Sequence, residues 1–213
     1  MSAGAGMQAA QARAILPPVP KAPESGDPLM RHRFCQWRTQ DGRPGRSIPR
    51  PVRDWVVETG SLTAALRQRC GSTFNVRVLG QGWRRPALDE AWRLQLGRRR
   101  LAWIREVALC CGDTPLIAAR TVIPAASLAG GNDGLRRLGS RPLGELLFQG
   151  GGTRRDPLEV ARLRRDDWLA DRMRRLGLSS ARDCWARRVV HYLNGRPLLV
   201  AELFLPELLP CRA

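Results

Sequence analysis

A chain of 213 residues, 43% hydrophobic and 26% charged, fits one ordinary globular domain with a short tail or insertion, and this composition excludes a disordered chain. No apolar run approaches the roughly 18 residues of a membrane-spanning helix, and the N-terminal stretch has neither the basic start nor the apolar block of a secretory signal, so a cytoplasmic protein with no membrane span is expected. The formal charge of +17 raises nucleic acid as a partner, but Lys21 is the only lysine, which reads as the coding bias of a GC-rich genome, and no RNP-like, KH or zinc-finger motif accompanies the charge, so no nucleic-acid partner is expected.

Residues 1–30, rich in Ala, Pro and Gly, read as a flexible tail ahead of a domain over 31–213. Residues 40–51 (QDGRPGRSIPRP) read as irregular chain. Ser61 caps a short predicted helix, Leu62 to Cys70, with Gly71 as its stop, and the alternation in TFNVRVL (73–79) predicts a strand. Two hairpins follow. LAWIREVALC (101–110) and PLIAARTVI (115–123) flank a turn at Gly112-Asp113, while WARRVVHYL (185–193) and PLLVAELFLP (197–206) flank Asn194-Gly195. Between them, residues 134–148 predict two short helical pieces broken at Gly139. The glycines 150–152 lack the G-K-[ST] of a phosphate loop and read as a link. LEVARL (158–163) predicts another strand, and residues 164–177 space Trp168, Leu169, Arg172, Met173 and Leu176 as an amphipathic helix with a solvated Arg face. The fold class that results is α+β: a single antiparallel sheet built from hairpins, with short helices over it, and no Rossmann-type crossover.

Six cysteines and two histidines supply no closely spaced ligand pairs, so no metal site is expected. The adjacent Cys110 and Cys111 read as buried free thiols of a reducing compartment, and His191, in RRVVHYL, as a structural histidine. Three charges stand where a strand should be apolar. With a two-residue turn at 112–113, opposing residues have numbers summing to 225, so Arg105 and Arg120 should stand directly opposite on one face. Like charges so placed need an anion between them or a carboxylate such as Glu106 to neutralise them, and the pattern leaves both readings open. Glu202 stands opposite Arg187 across the second hairpin, either as a cross-strand ion pair or as a carboxylate set to accept a ligand hydroxyl.

These residues carry a resemblance. IREVAL (104–109), ARTVIP (119–124), LGSRPLGELLF (138–148), TRRDPLEV (153–160) and NGRPLLVAELFLP (194–206), with a weaker DWVVETGSLT (54–63), resemble the bacterial chorismate pyruvate-lyases in order and spacing. The stretch around 163–184 is longer than that family's usual connection, and the N-terminal tail is extra. The resemblance implies a buried product site under helical flaps and a cofactor-independent enzyme that removes pyruvate from chorismate, leaves 4-hydroxybenzoate and feeds ubiquinone synthesis. It implies a ring-carboxylate site at Arg105 and a hydroxyl site at Glu202, with Leu62 and Leu143 lining the pocket and offering backbone N–H groups. The family pattern has Met in place of Leu62. Arg120 is the candidate for the second carboxylate of the substrate. A monomer is expected, and the competing reading is a non-catalytic effector-binding domain of the same fold.

Overall fold

In a computed structural model of the chain, the described residues are 34–39, 48–58, 60–148, 154–178 and 183–209. The expected tail, the glycines 150–152 and residues 40–47 lie outside them. In chain order the elements are β1 (Arg38–Thr39), α1 (Arg50–Val57), α2 (Leu62–Cys70), β2 (Phe74–Arg84), α3 (Leu88–Arg93), β3 (Ala102–Cys111) and β4 (Thr114–Pro124). Then follow α4 (Leu143–Phe148), β5 (Arg154–Arg155), β6 (Glu159–Leu163), α5 (Trp168–Arg175), β7 (Cys184–Leu193) and β8 (Arg196–Phe204). The strands form one antiparallel sheet in the order β1-β6-β7-β8-β4-β3-β2, with β5 also pairing with β7. The α+β class and the two hairpins stand as the sequence predicts.

The local chemistry explains the element ends. Ser61 accepts a hydrogen bond from the Ala64 N–H at the start of α2, and Gly71 ends that helix at φ 56°, a left-handed conformation that glycine tolerates. Asn194 and Gly195 both take positive φ, the geometry of the tight hairpin turn between β7 and β8. The irregular reading of 40–51 ends too late, because Arg50 and Pro51 already belong to α1. Proline fits a helix's first turn, where its missing N–H has no intrahelical partner anyway.

The first hairpin departs from the predicted ladder. Cys111 pairs with Thr114 and Cys110 with Pro115, as a two-residue turn requires, but Leu109 then pairs with Ile117. Leu116 is an extra residue in β4, a bulge beside a proline that cannot donate to the ladder. Every later residue of β4 is displaced by one position, so Arg105 faces Thr121 and Glu106 faces Arg120. A one-residue slip turns every side chain to the other face, so Arg105 and Arg120 stand on opposite sides of the sheet.

Each face is covered. On the face of Arg105, α1 and α2 bring Val52, Val56, Leu62 and Leu66 onto Val107, Ile117 and Phe204. The segment 135–147 brings Leu135, Leu138, Leu143 and Leu147 onto Ile123 and Val200. On the other face α5 buries Leu169, Ala170 and Met173 against Ala108, Ala118, Ala186 and Leu203, so the long stretch after β6 is a cover for the sheet. Its Arg face is not merely solvated: Arg172 donates to both oxygens of Glu106, at 2.8 and 2.7 Å.

Cysteine behaviour is mixed. Cys35, Cys110 and Cys184 are buried free thiols, but Cys70 and Cys111 form a disulfide with Cα atoms 5.4 Å apart. The free-thiol reading of Cys111 is therefore corrected: the C-terminal end of α2 lies beside the end of β3, a proximity that sequence spacing does not show. Cys211 and His32 lie outside the described residues.

Candidate active site

The side chains of one sheet face form a grid. Moving across β3, β4, β8 and β7, one row reads Val107, Ala119, Glu202, Arg187 and the next Arg105, Thr121, Val200, Val189; beyond them Trp103 pairs with Ile123 and Leu198 with His191. Over this face lies a cavity of about 330 Å³, within the usual range for small-ligand sites. Its floor includes Arg105, Thr121, Val200, Glu202 and His191, and its roof is made by the first turns of α2 and α4 together with the chain around Arg155–Leu158. All four residues expected at a site line this one cavity: Leu62, Arg105, Leu143 and Glu202.

Arg105 is 2% exposed. Its Nη2 donates to the carbonyls of Gly139 and Arg141, at 2.8 and 3.0 Å, and its Nε has no partner among the described residues. No carboxylate among the described residues pairs with it, and burial lowers the pKa of its guanidinium to about 10. A buried cation without a counter-charge is costly unless a ligand supplies the anion. The two carbonyls place the guanidinium without neutralising it. Gly139, at φ 53°, is what allows the chain to turn there.

Arg120 behaves oppositely, and its expected contact with the second carboxylate of a substrate is corrected. It lies on the far face, outside the cavity lining. Its Nε and Nη2 donate to Glu90 at 2.7 and 3.0 Å, and its Nη1 to Glu106 at 2.5 Å. Burial alone would lower its pKa, but Glu90 and Glu106 outweigh that and raise it. Burial alone would raise the Glu106 carboxyl, and Arg172, Arg120 and Arg84 hold it instead at about 2, below its ordinary 4.5. For Arg120 the neutralising-carboxylate reading is the one that holds.

Glu202 pairs with Arg187 in the expected register, with Arg187 Nε donating to Oε2 at 2.6 Å. Arg187 also donates to the carbonyls of Val56 and Glu58, so the same guanidinium holds the carboxylate and the end of α1. Two strand spacings and one side-chain repeat put the Cα atoms of Arg105 and Glu202 about 12 Å apart, room for a six-membered ring between their side-chain tips. At the roof, Leu62 and Leu143 are the first residues of α2 and α4, where backbone N–H groups have no intrahelical partner. The two helices meet closely. A Cβ placed on Gly144 would lie 3.1 Å from both Ser61 Oγ and Thr63 Oγ1, and Arg67 pairs with Glu145 across the same contact.

Sequence reasoning did not place Arg155, Arg187 or His191 in the cavity lining. His191 is more than a structural histidine, since it is buried and faces the cavity. Burial lowers its imidazole from 6.5 to about 4, with Glu202 opposing and Arg155 and Arg187 adding to the drop. The available signal was its position: two residues beyond Val189 and four beyond Arg187 on one strand face. Among the described residues, no group of three or more His, Cys, Asp or Glu side chains is placed to hold a metal ion, and no helix is long and apolar enough to cross a membrane.

Comparison with known proteins gives a consistent picture. A family described as "Chorismate lyase" matches residues 35–211. A protein of Methylococcus capsulatus named "Probable chorismate pyruvate-lyase" is 45% identical over 158 residues, covering 74% of this chain and 96% of that protein. One of the same name from Halorhodospira halophila is 47% identical over 164 residues, covering 77% of this chain and 86% of that protein. Among solved structures, the effector domain of PhnF from Mycobacterium smegmatis is similar in fold, with a TM-score of 0.50 at 17% identity over 71% of this chain and 91% of that one.

Proposed function

The chain belongs to the chorismate lyase family and is a chorismate pyruvate-lyase, and we propose that its reaction leaves 4-hydroxybenzoate between Arg105 and Glu202, feeding ubiquinone synthesis in the cytoplasm. The observation that carries this assignment of the site is Arg105, a buried guanidinium on the cavity floor with no carboxylate partner among the described residues. The ring carboxylate supplies the missing counter-charge through a charge-assisted pair. Glu202, with one oxygen held by Arg187, accepts the hydrogen bond of the ring hydroxyl through the other.

The chemistry asks little beyond orientation. The bond between the ring carbon and the ether oxygen breaks, the ring proton on the hydroxyl-bearing carbon leaves, and the electrons of that C–H bond complete the aromatic ring. The departing enolpyruvate takes up a proton and becomes pyruvate. Aromatisation supplies the driving force, so the protein's part is to hold the ring and to place polar groups where charge develops on the leaving oxygen. Backbone N–H groups at Leu62 and Leu143, which line the cavity at the starts of α2 and α4, would donate to the ring substituents. Both sheet faces are covered by helices, which supports a monomer, to be checked by light scattering.

The test is direct. Purified protein given chorismate should accumulate 4-hydroxybenzoate absorbance with pyruvate in equal amount. Chorismate consumed without 4-hydroxybenzoate, or not consumed by folded protein, would overturn the reading.

A further inference from the structure

A carboxylate discriminates between ring substituents only if it is held in one orientation. Glu202 stands directly opposite Arg187 in the pairing of β7 with β8, and Arg187 Nε donates to its Oε2 at 2.6 Å. The other prong of the same guanidinium, Nη1, donates to the carbonyls of Glu58 and Val56 at 2.5 and 3.3 Å. We propose that Arg187 is the positioning residue that sets the specificity of the hydroxyl subsite: it ties Glu202 to the end of α1, so that the cavity offers an acceptor, and never a donor, to the 4-position of the ring. This rests on the lyase reading and adds the residue through which Glu202 tells a hydroxyl from other substituents.

The arrangement uses the fork of an arginine, not its charge alone. A cross-strand pair that only neutralised charge would need one nitrogen. Here two prongs point two ways, and the single nitrogen of a lysine could serve one of them. The guanidinium is restrained further by the Phe204 ring, whose centre lies 6.0 Å from Cζ. The two side chains are 8% and 17% exposed, so water competes little for either. Glu58 is the residue at which α1 ends, and Ser61, three positions on, caps α2. Arg187 thus registers the carboxylate against the chain that leads into the roof as well as against the floor.

The neighbours of Glu202 on the sheet face leave this task to Arg187. Ala119, opposite Glu202 on β4, has no polar side-chain atom, and neither have Val200 and Phe204, which share its face along β8. A carboxylate free to turn about its terminal bond would meet a ring hydroxyl at poor angles, and hydrogen bonds weaken steeply below about 120°. With Oε2 held by Arg187, the direction of the remaining oxygen is set as well.

The test reads the 4-position separately from the rest of the ligand. Benzoate and 4-hydroxybenzoate share the ring carboxylate, so the ratio of their dissociation constants isolates the hydroxyl contact. Calorimetric titration of the parent should give a ratio of roughly 10 to 100, the worth of a hydrogen bond to a charged acceptor. Arg187→Lys should cut that ratio at least about fivefold while benzoate binds within about threefold of the parent, and kcat/KM for chorismate should fall in step. Glu202→Gln tests the same clamp with Arg187 in place. Arg187 can donate only to the glutamine's carbonyl oxygen, which turns the amide NH2 towards the ring. The hydroxyl of 4-hydroxybenzoate can accept from it, but the conjugated amine of 4-aminobenzoate is a poor acceptor, so the preference for the hydroxyl ligand should grow about fivefold over that of the parent. An amide free to turn would offer its oxygen to either ligand, and the preference would shrink. Should Arg187→Lys not fold, Glu202→Gln decides alone. Equal weakening of benzoate and 4-hydroxybenzoate by Arg187→Lys, or a shrinking preference in Glu202→Gln, overturns the proposal while the lyase reading stands. A parent ratio near one overturns it together with the placement of the hydroxyl at Glu202. If the contrasts appear in a protein that does not convert chorismate, the lyase reading fails and the role of Arg187 survives.

Discussion

Replacing Arg105 by Met should separate binding from folding. Methionine is unbranched, similar in length and adaptable, so it fills the arginine's path without a charge. Two opposed terms decide the stability of the free protein. The variant loses two hydrogen bonds from a charged donor to the carbonyls of Gly139 and Arg141, about 1.5–3 kcal/mol each. It also loses the desolvation penalty of a buried guanidinium without a carboxylate among the described residues, several kcal/mol by itself. The terms nearly cancel, and unfolding in urea should shift by no more than about 2 kcal/mol. Ligand binding has no such compensation. Losing a two-pronged contact with the ring carboxylate removes about 3–6 kcal/mol, a fall in 4-hydroxybenzoate affinity of about 10²- to 10⁴-fold by calorimetry. A variant destabilised by more than about 3 kcal/mol that still binds the product within threefold of the parent would refute the reasoning and make Arg105 a structural arginine.

The roof should control product release. The product keeps the ring carboxylate and hydroxyl, so groups that hold them hold substrate and product alike and raise affinity without raising turnover. Strong inhibition by 4-hydroxybenzoate and a pre-steady-state burst are expected, and Gly144→Ala, which crowds Ser61 and Thr63, should weaken product affinity a few-fold and diminish the burst; a linear approach to steady state in the parent protein counts against release as the slow step. Acid should destabilise the fold in two stages. His191, held at about 4 against 6.5, stays neutral in the fold while the unfolded chain takes up its proton, so stability falls as pH drops from about 6.5 to about 4; Glu106, held at about 2 against 4.5, contributes stability above pH 4.5 that is lost as pH falls towards 2. Urea unfolding across this range should show both legs; His191→Leu should flatten only the upper one, and Glu106→Gln should flatten the lower while costing about 3–5 kcal/mol at neutral pH, because it leaves buried guanidinium groups short of a partner. For the oxidised protein, reductant should lower the unfolding midpoint by several degrees, since Cys70 and Cys111 are 41 residues apart in sequence and a cross-link of that span is worth up to about 4 kcal/mol; an unchanged midpoint speaks against the disulfide as a stabilising link.

The two hairpins show where sequence reasoning succeeds and where it stops. Asn194-Gly195 fixes both the turn and the register of β7 with β8, and Arg187 meets Glu202 as expected because no residue is inserted along the ladder. Gly112-Asp113 fixes its turn equally well, but the bulge at Leu116 moves the rest of β4 by one residue. Arithmetic from the turn alone cannot show an inserted residue, and the error fell on Arg120, a functional candidate. Pro115 is the only local hint, because it cannot donate to the ladder. Capping chemistry made the limits of α2 legible from Ser61 and Gly71. The six-residue α3 was missed, since one and a half turns leave no periodicity to read, yet its Glu90 supplies Arg120's second counter-charge. That His191 and Arg155 line the cavity was illegible for a different reason. The pairing of β5 with β7 and the depth of the cavity are tertiary facts, and nothing in RRVVHYL distinguishes a cavity histidine from a core one.

A crystal structure of the protein with 4-hydroxybenzoate tests the central claim most directly. The account predicts the product in the cavity under α2 and α4, its carboxylate accepting the Nε–H of Arg105 and its hydroxyl within hydrogen-bond distance of Glu202. A product bound elsewhere, or lying in this cavity with its carboxylate turned away from Arg105, would contradict it.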